Sequence, residues 1–234
     1  MKILAIDTSG TTGSVAVTQA DALLAELTIG RRETHSKHLM RMIHRTLQMA
    51  GVSLSNMDGI AFVKGPGSFT GLRIGISAVK GLAATTGIPI AGISSLSAVA
   101  SQAADEHRMI CAMIDARNQE VYSARYRFSG DALTRLTAQS SLPPEQVVAE
   151  IHEPVILVGD GAACYRTRVK DALGDLARFA PDIEGVIRAS TVALLSRREF
   201  EAGRTDDFRT VVPHYLRKSY AQLRCTKKTG LAKG

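Results

Sequence analysis

Tryptophan is absent from the 234 residues, and aromatic side chains make up only 5% of them. The core must therefore be assembled from Ala, Val, Ile, Leu and Met, and the stacking platforms of a single-strand nucleic-acid reader are missing. Cysteine is scarce as well. Cys111, Cys164 and Cys225 are odd in number and far apart, which gives neither a disulfide framework nor a zinc knuckle and points to a reducing compartment. No long apolar run stands out. The charge-free stretch 81–104 is interrupted by Pro89, three glycines and scattered Ser and Thr, too polar and broken for a membrane span. Asp7 ends the apolar start of the chain too early for a signal peptide. A cytoplasmic protein is the expectation.

What is present is an ordinary globular balance, 45% hydrophobic and 22% charged, in a length that suits one large domain or two small ones. The net charge of +7 is concentrated at the end: residues 204–234 carry eight Lys or Arg against two Asp. Such a tail suits a polyanion such as nucleic acid, but a solvated, frayed terminus is the expectation, above all for residues 227–234.

Alternation and turn signals predict strands at Ile3–Ile6, Ser14–Val17 and Leu23–Ile29, an antiparallel meander, then a helix over Glu33–Ala50 stopped by Gly51. A strand over Gly59–Val63 and a helix over Gly71–Thr85 follow. The second half opens alike: an apolar run 109–114 ends at Asp115, and Glu120–Tyr126 alternates as a half-buried strand. Further on, Leu142–Ile151 reads as helical, Val155–Val158 as a buried strand, and Thr191–Ala202 as the last clear helix. Strand, Asp, turn, strand thus occurs twice. Two small α/β halves are expected, 1–104 and 105–217, with a boundary near Ser101–Glu106 and a basic tail over 218–234.

The loop Lys64-Gly65-Pro66-Gly67-Ser68-Phe69-Thr70-Gly71-Leu72-Arg73 lies between a strand and a helix. Glycines there let backbone amides approach an anion. A P-loop would need Gly-Lys-Ser/Thr, and a dinucleotide loop needs an acid about twenty residues on. Leu72 follows Gly71, and no Asp or Glu stands between Asp58 and Asp105. A tight turn packing a helix close to a sheet explains the glycines as well. Asp7-Thr8-Ser9-Gly10 could hold a metal-bound phosphate, but the equivalent second turn, Asp115-Ala116-Arg117-Asn118-Gln119-Glu120, is bulky and lacks glycine. His35, His38 and His44 share the first helix without completing a ligand set.

On that helix Leu39, Met40, Ile43 and Leu47 fall on one arc, widened by Met42 and Met49. On the next, Leu72, Ile76, Val79 and Ala83 form one stripe and Ile74, Ala78 and Leu82 another. A helix apolar nearly all round is covered on both sides. The sheet supplies one cover, and either a partner chain or the second half supplies the other.

The stretches Ile3-Leu4-Ala5-Ile6-Asp7-Thr8-Ser9, Thr34-His35-Ser36-Lys37-His38-Leu39 and, above all, GPGSFTGLRIGISAVKGLA at 65–83 resemble the bacterial TsaB (formerly YeaZ) family. Asp115-Ala116-Arg117 with Glu120-Val121-Tyr122, and Pro213-His214-Tyr215-Leu216-Arg217, extend the likeness over residues 1–217. The resemblance implies an actin-like ATPase or sugar-kinase-like fold (ASKHA, ribonuclease H-like), with two subdomains of mixed sheet and helices. It also implies the dimerisation subunit of the tRNA threonylcarbamoyladenosine (t6A) machinery.

That subunit would be a degenerate relative of the catalytic TsaD, which transfers threonylcarbamoyl to N6 of the adenosine next to the anticodon. It would be non-catalytic, pairing with TsaD or with itself, while the ATPase TsaE docks on the pair and tRNA is reached only through the complex. Two histidines four apart serve the metal in TsaD, and here Leu39 follows His35 at that interval. No cofactor is expected of this chain itself, although a nucleotide at the joint surface with TsaD is compatible. The interface expected is His35, Leu39, Met42, Ile43 and Met49 with Leu72, Gly75, Ile76, Val79 and Ala83. Asp7, Thr8 and Ser9 would be the remnant of a nucleotide site. The alternative is a minimal ASKHA-type ATPase or phosphotransferase acting alone through Asp7 and the Gly65–Gly71 loop.

Overall fold

The computed structural model describes residues 1–30, 35–103, 108–130 and 132–217. The basic tail 218–234, the end of the 101–106 boundary, the start of the first helix and the side chain of His35 lie outside the described residues.

The first half runs β1 (Lys2–Asp7), β2 (Gly13–Gln19), β3 (Ala22–Ile29), α1 (His35–Met49), β4 (Gly59–Gly65), α2 (Phe69–Thr86), β5 (Ile90–Ser94) and α3 (Ser95–Gln102). The second runs β6 (Met109–Arg117), β7 (Glu120–Ser129), β8 (Ala132–Arg135), β9 (Ser140–Leu142), α4 (Pro144–Val148), β10 (Val155–Val158), α5 (Asp160–Cys164), α6 (Arg166–Leu173), β11 (Ala177–Phe179) and α7 (Ala189–Glu201). The strand order β3-β2-β1-β4-β5 of the first sheet recurs as β8-β7-β6-β10-β11 in the second. Directions match too, antiparallel on the meander side and parallel beyond it. The repeat seen in sequence as strand, Asp, turn, strand thus extends over five strands.

β1 is apolar at every core position because both its faces are covered. Leu4 and Ile6 join the core under α1 and α2, while Ile3 and Ala5 join the one shared with α3, α7 and the second sheet. On that shared face the register aligns Ala16 with Ala5, Ala5 with Ala61, and Ala61 with Ala91. This row of small side chains across four strands makes the bed on which α7 lies through Ala189, Val192 and Ala193, all fully buried. The first turn of α7 is secured from the other half: the Ala189 amide donates to Ser14 Oγ at 3.0 Å, and the Ser190 amide to Glu26 Oε1 at 2.9 Å. α4, α5 and α6 cover the outer face of the second sheet over Met113, Val121 and Leu157.

One local expectation is corrected, and one stretch left without an expected element acquires two. Residues 142–151 are not one helix, because Pro143 and Pro144 lack the amide a helix interior needs; β9 precedes them, and α4 starts at Pro144. The charge-free stretch after α2 yields β5 and α3, neither of which carries a charged residue to mark its outward face.

Candidate functional site

The equivalent ends of the two sheets face one another across a cleft of about 580 Å³. Ser9, Gly10 and Thr11 of the β1–β2 turn and residues 67–70 at the start of α2 line one wall. The β6–β7 turn from Asp115 to Asn118, with Tyr122 and Asp160, lines the other, and Tyr215 and Arg217 close the edge.

The glycine-rich loop is used for close packing. A Cβ on Gly67 would lie 2.5 Å from the Ser9 carbonyl oxygen, one on Gly71 would fall on the Thr8 carbonyl oxygen, and one on Gly75 on the Thr8 hydroxyl. These glycines, spaced by four, line the loop before α2 and the first turns of the helix where they press on the β1–β2 turn. Thr8 Oγ1 donates to the Gly71 carbonyl at 2.7 Å, and the Ser68 amide to the Ser9 carbonyl at 2.7 Å. The Ser68 hydroxyl caps the helix by accepting from the Gly71 amide at 3.3 Å. Of the two readings open from the sequence, the packing one accounts for all three glycines.

Asp7, Thr8 and Ser9 are buried together. Asp7 Oδ1 accepts from the Ser9 amide at 2.9 Å and from Ser9 Oγ at 2.6 Å. Only Ser9 of the three reaches the cleft wall. Opposite, the turn Arg117-Asn118-Gln119 holds three non-glycine residues in succession at φ 60°, 54° and 63°, a conformation that costs L side chains about 1 kcal/mol or more each. Asp115 accepts from the Arg117 amide at 2.8 Å, and its own amide donates to Asp160 Oδ1 at 2.9 Å. Burial, reinforced by the charge of Asp115, pushes the Asp160 carboxyl above the usual range. Two carboxylates therefore stand where an anionic ligand would meet the second half.

The expected partner face needs correction. Leu39, Met42, Ile43, Leu72, Ile76, Val79 and Ala83 are buried in the chain's own core against the first sheet, and Gly75 is closed by Thr8. They cannot meet a partner without being pulled from that core. Met49, 59% exposed, is open. The other apolar side chains left accessible on the pair include Met40, exposed, and Leu47, Ile74, Ala78 and Leu82, half-buried. For α2, the outward stripe is Ile74, Ala78 and Leu82, and the stripe of Leu72, Ile76, Val79 and Ala83 expected to meet a partner faces inward. His38 is half-buried and His44 exposed. Among the described residues no three His, Cys, Asp or Glu side chains gather as a metal set.

Sequence reasoning passed over the role of the C-terminal segment. Tyr215 stacks on Phe69 and Arg217 pairs with Glu120 across 97 positions. Only the Pro213–Arg217 motif hinted that these residues matter.

Two sheets of identical strand order with a cleft between their equivalent ends define the actin-like ATPase and sugar-kinase (ASKHA) class of fold. The ROK hexokinase of Thermus thermophilus is similar at this level, with a TM-score of 0.50 and 14% identity over 87% of this chain and 100% of that one. Residues 23–225 match the family described as TsaD, tRNA N6-adenosine threonylcarbamoyltransferase. The tRNA threonylcarbamoyladenosine biosynthesis protein TsaB of Escherichia coli (strain K12) is 31% identical over 94% of this chain and 96% of its own. YeaZ from Pseudomonas aeruginosa is 30% identical with a TM-score of 0.80, covering 92% of this chain and 99% of that one. The chain belongs to the TsaB (YeaZ) family. Among the described residues, no helix is long and apolar enough to cross a membrane.

Proposed function

We propose that this chain is a non-catalytic partner subunit in tRNA t6A biosynthesis, working in the cytoplasm and pairing with a TsaD-type catalytic paralogue. The observation that carries the non-catalytic reading is the second wall of the cleft. Its turn holds Arg117, Asn118 and Gln119 where a phosphate loop needs small residues, and it brings Asp115 and Asp160 toward the space an anion would fill. Like charges so placed oppose a nucleotide's phosphates. The glycine loop opposite is committed to packing on Thr8 and Ser9, which supports the same reading and leaves Asp7, Thr8 and Ser9 as the trace of a nucleotide site.

Pairing runs through α1 and α2, in the homodimer as in the pair with TsaD. The contact residues, revised by burial, are Met40, Leu47, Met49, Ile74, Ala78 and Leu82. TsaE then docks on the pair, tRNA is met only through the complex, and any nucleotide sits at the joint surface. The division into 1–104 and 105–217, with the tail 218–234 dispensable for pairing, is part of the same reading.

The test is reconstitution with a TsaD-type paralogue, an ATPase of the TsaE type and unmodified tRNA. Omitting this chain should abolish t6A formation, and the isolated chain should turn over no ATP. Hydrolysis by the isolated chain that Asp7→Asn removes would overturn the proposal in favour of the stand-alone ATPase.

A further inference from the structure

The mouth of the cleft is crossed by residues 213–217, and the contacts that hold them include three on opposite walls. The His214 amide donates to the Lys64 carbonyl at 2.7 Å, where Gly65 leaves room: a Cβ there would lie 2.6 Å from the His214 carbonyl oxygen. The Tyr215 ring stacks on Phe69 with centroids 4.5 Å apart, and its hydroxyl accepts from Arg73 Nε at 3.1 Å. Arg73 in turn lies over the Phe69 ring at 3.9 Å, a cation–π contact. Two residues later Arg217 Nη1 lies 3.3 Å from Glu120 Oε2, an oxygen that also accepts from Ser141 Oγ at 2.8 Å.

The first two contacts fasten the segment to β4 and α2; the third fastens it to β7. The segment therefore begins on one wall of the cleft and ends on the other. Away from the cleft the halves share a core through α3 and α7, so the molecule has a joined side and an open side. The tie lies on the open side. Its two anchors differ in kind. Tyr215 is held by stacked surface and by backbone bonding beside it, whereas Arg217 meets Glu120 in a partly buried charge pair, which the near-isosteric neutral change Glu120→Gln weakens.

We propose that Pro213–Arg217 is a strap that sets the angle between the two halves, with Tyr215 as its fixed anchor and the Arg217–Glu120 pair as its releasable end. Nothing in this device depends on the partner-subunit reading.

The strap is tested on the full chain by distance measurement between spin labels. Labels go on Ser55→Cys and Thr167→Cys, exposed positions in the two halves, with Cys164→Ser and Cys225→Ser to remove competing thiols. Dilution with unlabelled chain restricts the signal to pairs within one molecule. The parent should give one narrow distance distribution. Arg217→Ala and Glu120→Gln should each broaden it and shift its mean, Arg217→Lys should keep it narrow, and Tyr215→Ala should broaden it further. Circular dichroism confirms that each variant is folded. Distributions for folded Arg217→Ala and Glu120→Gln that superimpose on the parent would overturn the proposal.

Discussion

The hydroxyl of Thr8 donates to the carbonyl of Gly71 at 2.7 Å, and the Thr8 carbonyl oxygen occupies the place where Gly71 would carry a Cβ. The β1–β2 turn and the first turn of α2 thus meet backbone to backbone, and the helix is set against the turn by a glycine that cannot be exchanged.

This contact makes two glycines of one helix respond oppositely to the same change. Gly71→Ala should destabilise by about 2 kcal/mol, since the clash is with backbone that cannot swing aside. Gly81→Ala should stabilise by up to about 1 kcal/mol, the ordinary gain of Ala over Gly in a helix interior, because a Cβ there meets nothing within 4 Å. Urea denaturation at fixed protein concentration checks both.

A second pair separates pairing from folding. Ile74 is half-buried on the outward stripe of α2, whereas Ile76, 4% exposed, belongs to the core. Ile74→Glu should leave the circular dichroism spectrum and melting temperature near those of the parent while abolishing association in light scattering. Ile76→Glu should cost on the order of 3 kcal/mol or more through a buried, unpaired carboxylate and should lower the melt before any effect on association can be read. Association that survives Ile74→Glu would remove α2 from the interface.

Asp160 predicts a pH dependence. Its carboxyl is held above the ordinary value, mainly by burial and then by the Asp115 charge, so the native chain binds its proton more tightly than the unfolded chain. Its contribution to stability is therefore complete below the ordinary carboxylate pKa and declines as pH rises through the raised one. Asp160→Asn keeps an acceptor for the Asp115 amide and carries no charge. It should melt higher than the parent at pH 7, with the gap closing as the buffer is taken below the ordinary carboxylate range. A gap independent of pH would show that the gain, if any, is not electrostatic.

Burial pushes the Cys111 thiol up to about 12, so at neutral pH it offers almost no thiolate to an alkylating reagent. Cys164 is exposed. Mass spectrometry after maleimide treatment should find Cys164 modified in the native protein. Cys111 should react only in denaturant, or at a rate that tracks global unfolding.

The meander, the two long helices and the duplicated strand–Asp–turn–strand were legible because each pairs an apolar period with a turn residue at its end. Asp7 is the last residue of β1, and Asp115 closes the apolar run of β6 two residues before that strand ends. β5 and α3 were not legible: Ile90–Gln102 contains no charged residue, and its few half-buried Ser and Gln side chains give too weak a polar phase to fix a period. The two stripes of α2 were both visible, but their direction was not. Ile76 and Ile74 are equally apolar, and only the position of Thr8 over Gly71 and Gly75 decides which stripe turns inward. The cleft's acidic pair depends on contact between residues 45 positions apart, and Tyr215 on Phe69 depends on a chain return that local pattern does not encode.

The alanine row of the first sheet carries a cost at the ribosome. β1 to β5 are complete once residue 94 has emerged, but α7, which covers Ala5, Ala16, Ala61 and Ala91, ends at Glu201. At ordinary elongation rates of about 5–20 residues per second, the intervening hundred or so residues take roughly 5–20 s. For that interval the part of this apolar face that α3 does not cover lacks its helix and is open to other apolar segments. This exposure to misassembly therefore falls during the chain's own synthesis, and it ends when α7 leaves the exit tunnel.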